Sequence, residues 1–404
     1  MKVLIVNKFY YPRGGDCICA MMLEEMLRKR GHITAVFAMD YPLNVDSEFK
    51  CFFAPQVAFE GGIANKLRAA QRIFGGAGVK RAFARMLDAF MPDVVHFHNI
   101  HSYLSPIIVE MAHRRGIRTV WSMHDFKLVC PAYNCLSQGH TCEECIGASK
   151  RNVLSHRCMK GSRVASALAW LEAVKWSPKR LQDATDVFVC PSVFMAQKMK
   201  KGGFDDKKIA VICNPVDPKK VDGISVSLKR NDYYAYVGRL SHEKGVETLL
   251  KAAVTLPYPL KIAGGGPLEQ SLRERFGKCP TVEFLGMQDA SQVKQLLQNA
   301  RFSVAPSECY ENNPLSVIES LSLGTPVVGA RIGGIPELIE PGNGFLFRSG
   351  SVDSLANNIA VAWESPFEYN NIAEKAKARF SEESFITEIL KAYAINPSET
   401  VNRD

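Results

Sequence analysis

Short apolar runs alternate with helix-length stretches along almost the whole chain. In the first half, the predicted strands are Val3–Val6, Ile33–Phe37, Val94–Phe97, Thr119–Ser122 and Asp186–Cys190. A second series comprises Ile209–Cys213, Tyr234–Val237, Leu260–Ala263, Val282–Leu285, Phe302–Ala305 and Val327–Gly329. Strands that alternate with helices in this way form parallel sheets with helices on their faces. The sequence therefore predicts an α/β protein made of two doubly wound halves.

The size of the chain also favours two domains, because 404 residues exceed what one ordinary hydrophobic core holds. We expect the boundary just before Asn214, where a loop with Pro215 follows the last strand that the first domain could include. The predicted domains are residues 1–213 and 214–380. The tail from about residue 381 to 404 has a helical pattern.

The composition is that of a soluble globular protein, with 47% hydrophobic and 23% charged residues. No apolar run approaches the roughly 20 residues that span a bilayer. The apolar stretch at Met1–Val6 is too short for a signal peptide and is predicted to be the first strand. We therefore expect a cytoplasmic protein.

A formal net charge of +9 is compatible with nucleic acid, an anionic membrane surface or phosphorylated substrates. Part of this charge is concentrated in a basic stretch, residues 66–85, which contains no acidic residue. Its basic residues are Lys66, Arg68, Arg72, Lys80, Arg81 and Arg85. Together with interleaved apolar residues they predict either two amphipathic helices on the inner face of a membrane or ordinary surface helices. Trp170 and Trp176 could add interfacial anchors or belong to the core.

Two acids stand eight residues apart, Glu311 and Glu319, just before the strand at Val327. We expect both near a loop-to-helix junction, since the apolar residues from Leu315 to Leu323 suit one buried helix face. At the carboxyl edge of an open α/β sheet, such carboxylates can accept hydrogen bonds from sugar hydroxyls. The alternative is that they only complement the positive end of the helix dipole.

The segment around these acids resembles the Glu-x7-Glu signature of retaining glycosyltransferases of family 4. The resemblance includes Pro306-Ser307 before the acids, Gly324-Thr325-Pro326 after them, and the later Gly333–Leu338 and Gly342–Leu346. It covers nearly the whole chain. It implies the GT-B fold, in which two Rossmann-like doubly wound domains face each other across a cleft and a C-terminal helix returns to the first domain.

The same resemblance implies roles for residues of the second domain. Glu311 would face the donor sugar and Glu319 the nucleotide ribose, with Asn313 and Leu315 in the same donor-binding loop. The run Asn312-Asn313-Pro314 departs from the usual Gly-aromatic-Gly, so sugar selectivity cannot be transferred.

Glycines and basic residues at strand-to-helix turns indicate a diphosphate site. Gly14 and Gly15 follow the first strand, where backbone N–H groups and a helix dipole can approach a phosphate. Arg239 and Lys244 follow a strand of the second half, and they resemble the pyrophosphate clamp of the family. These two cations would replace a metal ion, so no catalytic metal is expected.

Two further loops resemble those that receive the nucleobase, and they contain Gly265 and Met287. The expected donor is a UDP- or GDP-sugar. On the first domain, the resemblance makes His124 the residue that contacts the donor sugar, with His98 and Asp125 nearby. A buried structural role for the histidines is the alternative. The family's usual proposal is front-face attack assisted by the leaving phosphate, so catalysis would depend on positioning and electrostatics.

Cysteines cluster between residues 130 and 158, within an insertion predicted at about 128–160. In a cytosolic chain such a cluster favours metal over disulfides. The predicted ligands of a structural Zn²⁺ are Cys130, Cys142, Cys145 and Cys158, with His140 or Cys135 as substitutes. Free or redox-active thiols remain an alternative.

Taken together, these features predict a retaining glycosyltransferase, without nucleic acid as a partner. It would transfer a sugar to a glycan or a polyprenyl-linked glycan during synthesis of a surface polysaccharide such as capsule, O-antigen or exopolysaccharide. One rival is a GT-B sugar-nucleotide epimerase or phosphorylase, which needs no glycan acceptor. Another is a binding protein, either a silent scaffold of a glycan-assembly complex or a nucleic-acid binder, although the basic stretch lacks a known nucleic-acid motif.

Overall fold

A computed structural model describes residues 1–58, 63–221, 226–227 and 229–394. The chain divides into two compact units. The first unit contains Met1–Gln138, Cys142–Ile212 and the chain from Ile386 onward, and the second contains Gly139–Thr141 and Cys213–Phe385.

The first unit is built on a six-stranded parallel sheet in the order β2-β1-β3-β4-β7-β8. Its strands are β1 (Lys2–Val6), β2 (Ile33–Phe37), β3 (Val94–Phe97), β4 (Arg118–Ser122), β7 (Val187–Cys190) and β8 (Ile209–Val211). Two short strands, β5 (Leu136–Ser137) and β6 (His140–Thr141), lie in the cysteine-rich segment, residues 128–160. The central strands are buried on both faces, which explains their continuous apolar sequences.

The strand that starts at Ile209 opens the second predicted series but lies inside the predicted first domain, residues 1–213. In the structure this strand, β8, pairs with β7 in the sheet of the first unit, with Phe188 opposite Ile209. The reason is a single crossover through one helix, which places consecutive parallel strands side by side. The division between the units then falls between Ile212 and Cys213.

Helices of ordinary length connect these strands. They are α1 (Gly15–Lys29), α2 (Ile63–Ile73), α3 (Ala77–Phe90), α4 (Ile107–His113), α5 (Asn152–Ser155), α6 (Arg163–Lys175), α7 (Pro178–Asp183) and α8 (Val193–Lys201). A 3₁₀ turn lies at Lys50–Phe52 and another at Asp206–Lys208. Local capping explains several helix starts, since the hydroxyls of Ser162, Ser177 and Ser192 accept N–H bonds at the starts of α6, α7 and α8.

The second unit has its own six-stranded parallel sheet, in the order β11-β10-β9-β12-β13-β14. The strands are β9 (Tyr234–Val237), β10 (Leu260–Ala263), β11 (Val282–Gly286), β12 (Ser303–Ala305), β13 (Val327–Ala330) and β14 (Gly344–Phe347). The predicted strands lie within one residue of those observed. The edge strand β14 was not predicted as a strand.

The helices of the second unit are α9 (Pro218–Val221), α10 (Val246–Ala253), α11 (Glu269–Phe276), α12 (Ala290–Asn299), α13 (Leu315–Ser322), α14 (Val352–Glu364) and α15 (Tyr369–Phe380). Turns of 3₁₀ type lie at His242–Lys244 and Ile335–Glu337. A capping box, in which Asp289 and Gln292 bond reciprocally, begins α12. The two units are therefore both doubly wound, as the sequence predicted.

The last helix, α16 (Glu382–Tyr393), belongs to the first unit from Ile386 onward. Its residues Ile386 and Ile389 are fully buried. The Tyr393 hydroxyl lies 2.6 Å from Nδ1 of His96 in β3, and the Arg118 guanidinium donates to the carbonyl of Ala392 at 3.4 Å. The core of the first unit thus includes residues from both ends of the sequence.

Candidate active site

Backbone hydrogen bonds connect the loops that follow the strands of the second unit, so these loops together form one edge of its sheet. Gly238, after β9, donates its N–H to Ala263 at the end of β10, and Leu240 donates to Gly265 at 2.9 Å. Glu308, after β12, donates to the carbonyl of Glu243 at 2.9 Å. The carboxyl edge of an open parallel sheet is where such folds bind ligands. The predicted donor-binding residues lie on these loops or on the helices that follow them.

Glu311 and Lys244 form the central ion pair of this edge. Nζ of Lys244 lies 2.5 Å from a carboxylate oxygen of Glu311, and the Ser307 hydroxyl donates to the same oxygen at 2.7 Å. Burial alone would lower the pKa of Lys244, but the adjacent Glu311 carboxylate outweighs it and raises that pKa. Lys244 therefore carries a positive charge at neutral pH.

Two glycines hold this pair in position. Gly245 has a left-handed backbone (φ 65°), and a side chain there would collide with the carbonyl of Pro306. Gly333 (φ 60°) sits against the backbone of Glu311, and the next residue, Gly334, donates its N–H to the Glu311 carbonyl at 2.6 Å. Only glycine fits both the backbone angle and the close approach. The loops after β9, β12 and β13 therefore hold the pair from both sides.

Glu319 lies within α13 and not at its start. The helix begins at Leu315, after Pro314 at the N-cap, so Glu319 is already in the second turn. Glu319 thus lies four residues beyond the start of the helix, whereas both acids were expected at or near the loop-to-helix junction. A carboxylate oxygen of Glu319 lies 2.5 Å from Nζ of Lys220, which the sequence analysis did not identify. Burial raises the pKa of Glu319, and Lys220 only partly opposes this effect.

The remaining predicted donor residues differ in exposure. The Asn313 side chain is buried and has its hydrogen-bond partners within the second unit. It accepts the Asn214 N–H at 2.9 Å and contacts the Cys213 sulfur. Leu315 is the first residue of α13. Arg239 is exposed, and Met287 is 77% exposed beside Gly265. Arg239 and Met287 are therefore accessible to a ligand from solvent.

The first unit places the paired glycines at the start of α1. Gly14 is the extended N-cap and Gly15 the first helical residue. The next residue, Asp16, lies 3.3 Å from Nζ of Lys8 and accepts a bond from the Asn99 side chain at 3.0 Å. Although burial raises the pKa of Asp16, Lys8 and its other partners lower it below the usual value. A carboxylate therefore already occupies the first turn of this helix.

Three histidines form a row: His96 lies in β3, His98 directly follows it, and His124 follows β4. His96 stacks on His98 with ring centroids 4.7 Å apart, and Nδ1 of His98 lies 2.8 Å from Nε2 of His124. Burial lowers the pKa of His124 to about 4, despite the Asp16 carboxylate nearby, and lowers that of His98 well below its usual value. The row is therefore uncharged at neutral pH. His96 is fully buried, with its ring nitrogens against the hydroxyls of Tyr393 and Ser122.

Asp125 directly follows His124 in the loop after β4. Its carboxylate accepts the Lys127 N–H at 2.9 Å, and burial raises its pKa. Lys127 in turn lies 2.9 Å from Glu172 in a buried ion pair. These contacts fix the loop after β4, which carries His124.

The four predicted zinc ligands line one small cavity in the first unit: Cys130, Cys142, Cys145 and Cys158. Neither predicted substitute, His140 or Cys135, lines it. A different histidine does, His156, which the sequence analysis did not identify although it stands two residues before Cys158.

The basic stretch is an integral part of the first unit. The apolar residues Ile73 of α2 and Val79, Phe83 and Met86 of α3 are buried, so these side chains are not presented to lipid. Arg72 is also buried, where it donates to the carbonyls of Tyr103 and Pro55. Lys66 lies outside the residues whose side chains are described.

Trp176 is buried as well, and its indole N–H donates to the Ile73 carbonyl at 3.0 Å. It is therefore a core residue. Among the described residues, no helix combines the length and apolar character needed to cross a bilayer.

A family model described as Glycosyltransferase Family 4 matches residues 14–220, which is more than half of the chain. The chain belongs to glycosyltransferase family 4. A second model, Glycosyl transferases group 1, matches residues 220–379 of this family 4 chain.

Relatives with this family's sequence pattern include proteins of plants and bacteria. The sulfoquinovosyl transferase SQD2 of Arabidopsis thaliana is 36% identical over 129 residues, which is 31% of this chain and 25% of that protein. A 42.6 kDa protein from the cps region of Klebsiella pneumoniae is 24% identical over 88% of this chain and 92% of its own length. The O-antigen biosynthesis glycosyltransferase WbnH of Escherichia coli is 29% identical over 51% of this chain and 59% of that protein.

Solved structures show that the fold is the GT-B fold of this family. The lipopolysaccharide outer core galactosyltransferase WaaB superposes with a TM-score of 0.64 at 17% identity, covering 97% of this chain and 99% of that one. HepE of Anabaena, solved with UDP and glucose, gives 0.66 at 18% identity, with 97% and 98% coverage. At these identities the likeness concerns the fold alone.

Proposed function

We propose that this family 4 protein is a retaining glycosyltransferase that takes a sugar from a nucleotide diphosphate sugar. The observation that carries the proposal is the ion pair of Lys244 and Glu311, 2.5 Å apart on the ligand edge of the second unit. Lys244 supplies a positive charge in the same segment after β9 as exposed Arg239, and a departing diphosphate needs such charge. Glu311 leaves further acceptor positions for sugar hydroxyls.

The donor nucleotide binds this same edge through Glu319, which accepts hydrogen bonds from the ribose. The loops of Gly265 and Met287 receive the base. Because HepE of Anabaena was solved with UDP, uridine nucleotides are the first to test, and guanosine nucleotides the second. Arg239 and Lys244 neutralise the diphosphate, so transfer proceeds without a catalytic metal.

On the first unit, Gly14 and Gly15 contact the donor phosphate and His124 contacts the donor sugar. Because His124 is uncharged at neutral pH, it donates or accepts a hydrogen bond and supplies no charge. The acceptor hydroxyl attacks on the face from which the diphosphate leaves, and a phosphate oxygen takes its proton. The new bond therefore retains the anomeric configuration.

The acceptor is a glycan or a lipid-linked glycan of a surface polysaccharide. The supporting observations are relatives named for O-antigen and colanic acid biosynthesis. The decisive experiment measures thermal shifts of the purified protein with UDP, GDP and their sugar conjugates, followed by transfer to lipid-linked oligosaccharide. Glu319→Ala should abolish the nucleotide shift, whereas Glu364→Ala, an exposed control at the end of α14, should keep it. Normal turnover by Glu319→Ala would contradict the proposal.

We also propose that the protein contacts the cytoplasmic face of the membrane through α6. Val164, Leu171 and Val174 are 73%, 41% and 54% exposed on one side of this helix. The exposed Arg163 precedes them and Lys179 follows, so an anionic headgroup layer complements the surface.

Sedimentation with vesicles of anionic phospholipid tests this surface. Val174→Glu should reduce sedimentation, and Val361→Glu, a 51% exposed control on α14, should not. Failure of the native protein to sediment would reject membrane contact. A change of oligomeric state in Val174→Glu without any effect on vesicles would instead assign the surface to self-association.

A further inference from the structure

The cysteine-rich segment contains very little regular structure. It has only the two-residue strands β5 and β6 and the four-residue helix α5. Five of the eight non-glycine residues with positive φ in the described chain lie here: Tyr133, Cys135, Gln138, Arg157 and Lys160. Such backbone conformations are costly and persist only where the surroundings enforce them. This segment is therefore held by its side-chain and loop contacts more than by regular secondary structure.

Four thiols converge on one cavity inside this segment. Cys130, Cys142, Cys145 and Cys158 line it, and its volume is about 10 Å³. A space of that size holds roughly one water-sized sphere. Cys130 and Cys145 are each 8% exposed, whereas Cys142 and Cys158 are partly exposed, so the cavity is only partly screened from solvent. This is a donor set and a space suited to a single ion.

The Cys142–Cys145 turn is anchored to the rest of the unit. The N–H of Ile146 bonds the carbonyl of Glu143 at 2.8 Å, and the Glu143 carboxylate pairs with Lys198 and Lys201 of α8. Lys150 donates to the carbonyl of Cys145 at 2.5 Å. These contacts fix the position of the turn that carries Cys142 and Cys145.

A second donor group overlaps this one. The ligand atoms of Cys142, Glu144 and His156 lie within 4.8 Å of one another. Glu144 does not line the cavity, and its side chain is 56% exposed, whereas His156 does line it. Soft thiolates select Zn²⁺ more strongly than an exposed carboxylate does. The cavity therefore favours the four cysteines as ligands.

We propose that Cys130, Cys142, Cys145 and Cys158 bind one structural Zn²⁺ as thiolates in this cavity. Each thiol releases one proton to solvent, and four Zn–S bonds of about 2.3 Å form a closed tetrahedral site without an open position for substrate. Binding requires side-chain rotations that bring the four sulfurs to these distances from their positions around the cavity. Zn²⁺ undergoes no redox change, so no oxidant or reductant takes part.

This site would stabilise the loop that carries His124. Cys130 donates its N–H to the Phe126 carbonyl at 2.7 Å, and Phe126 donates to Tyr133 at 2.9 Å, directly after His124 and Asp125. On the proposed transferase function, loss of zinc would therefore lower transfer while nucleotide binding to the second unit persists. If instead the transferase proposal fails, zinc binding by the four cysteines still stands.

The test starts with the metal content of the full-length protein purified under reducing conditions. We expect one zinc per chain. Single Cys130→Ser, Cys145→Ser and Cys158→Ser variants should lose it, whereas Cys51→Ser, at an exposed cysteine outside the segment, should keep it. His156→Ala should also retain zinc. A nucleotide-induced thermal shift in each variant shows that the second unit remains folded.

Cobalt gives a readout on the unaltered protein, which protects the test against variants that do not fold. After chelation, Co²⁺ should restore a thiolate-to-cobalt charge-transfer band with the intensity of four sulfur ligands and the visible spectrum of tetrahedral cobalt. Absence of zinc together with absence of this band would overturn the site. Loss of metal in His156→Ala with retention in Cys130→Ser would overturn the four-thiolate set in favour of Cys142, Glu144 and His156.

Discussion

Nζ of Lys244 and a carboxylate oxygen of Glu311 lie 2.5 Å apart, although 67 residues separate them in sequence. The loops after β9 and β12 bring them together, and Ser307 donates to the same carboxylate. The pair joins the residue proposed to hold the diphosphate to the residue proposed to face the sugar. Several measurable consequences depend on this contact.

Lys244→Ala should lower the rate of transfer by about 100-fold or more, because a preorganised charge at the departing diphosphate is removed. Steady-state kinetics with the donor found by thermal shift would measure the change. Lys278→Ala, an exposed lysine after α11, is the matched control and should transfer at the native rate. Equal rates for the two variants would exclude the role given to Lys244.

Glu319→Gln should raise the melting temperature at about pH 8 and change it little at about pH 4. Burial raises the pKa of Glu319 above its ordinary 4.5, so the folded state prefers the protonated form. The contribution of this residue to stability is therefore present below pH 4.5 and is lost as pH rises through the raised pKa. Glutamine mimics the protonated side chain and avoids that loss. Thermal melts at the two pH values, each without nucleotide, would measure the difference.

The histidine row predicts a loss of stability in mild acid. The pKa values of His96 and His124 are lowered to about 3 and about 4 by burial, below the ordinary 6.5. Their contribution is present above pH 6.5 and is lost as pH falls through the lowered values, because unfolded histidines bind protons first. Melting temperatures should fall between about pH 6.5 and 4. The slope should be smaller in His98→Gln, and an unchanged slope would contradict this explanation.

Tyr393→Phe should destabilise the protein by about 1–3 kcal/mol, because it leaves Nδ1 of His96 buried without its hydroxyl partner. Urea unfolding followed by circular dichroism would measure the change. Tyr133→Phe is a suitable comparison, since Tyr133 is 47% exposed and should lose little. If both variants unfold at the same urea concentration as the native protein, the bond between Tyr393 and His96 contributes nothing.

The strands were predictable because buried parallel strands have continuous apolar sequences that end at loops. Val94–Phe97 and Tyr234–Val237 were found at their predicted bounds for this reason. The edge strand Gly344–Phe347 was missed, since a short run with a glycine lacks that pattern. The strand Ile209–Val211 opened the second predicted series, yet it pairs with the preceding strand in the sheet of the first unit, which the predicted boundary before Asn214 allows.

For the site, motif spacing located Lys244, Glu311 and Glu319 but not the contacts among them. Lys220 was missed because an isolated pair of lysines gives no sign of a partner 99 residues away. Arg72 was predicted to be a surface charge, yet it is buried and donates to backbone carbonyls. Helical periodicity shows which side of a helix is apolar, but not whether protein or lipid covers it.

Residues from Ile386 onward complete the first unit, while the second unit is formed largely by the chain between Cys213 and Phe385. A ribosome therefore finishes nearly all of the second unit before it makes Tyr393, the partner of His96. During synthesis the second unit can fold before the last helix of the first unit has been made. Until that helix emerges, the nascent chain exposes the apolar surface that Ile386 and Ile389 later cover, and this interval is when chaperones would be needed most.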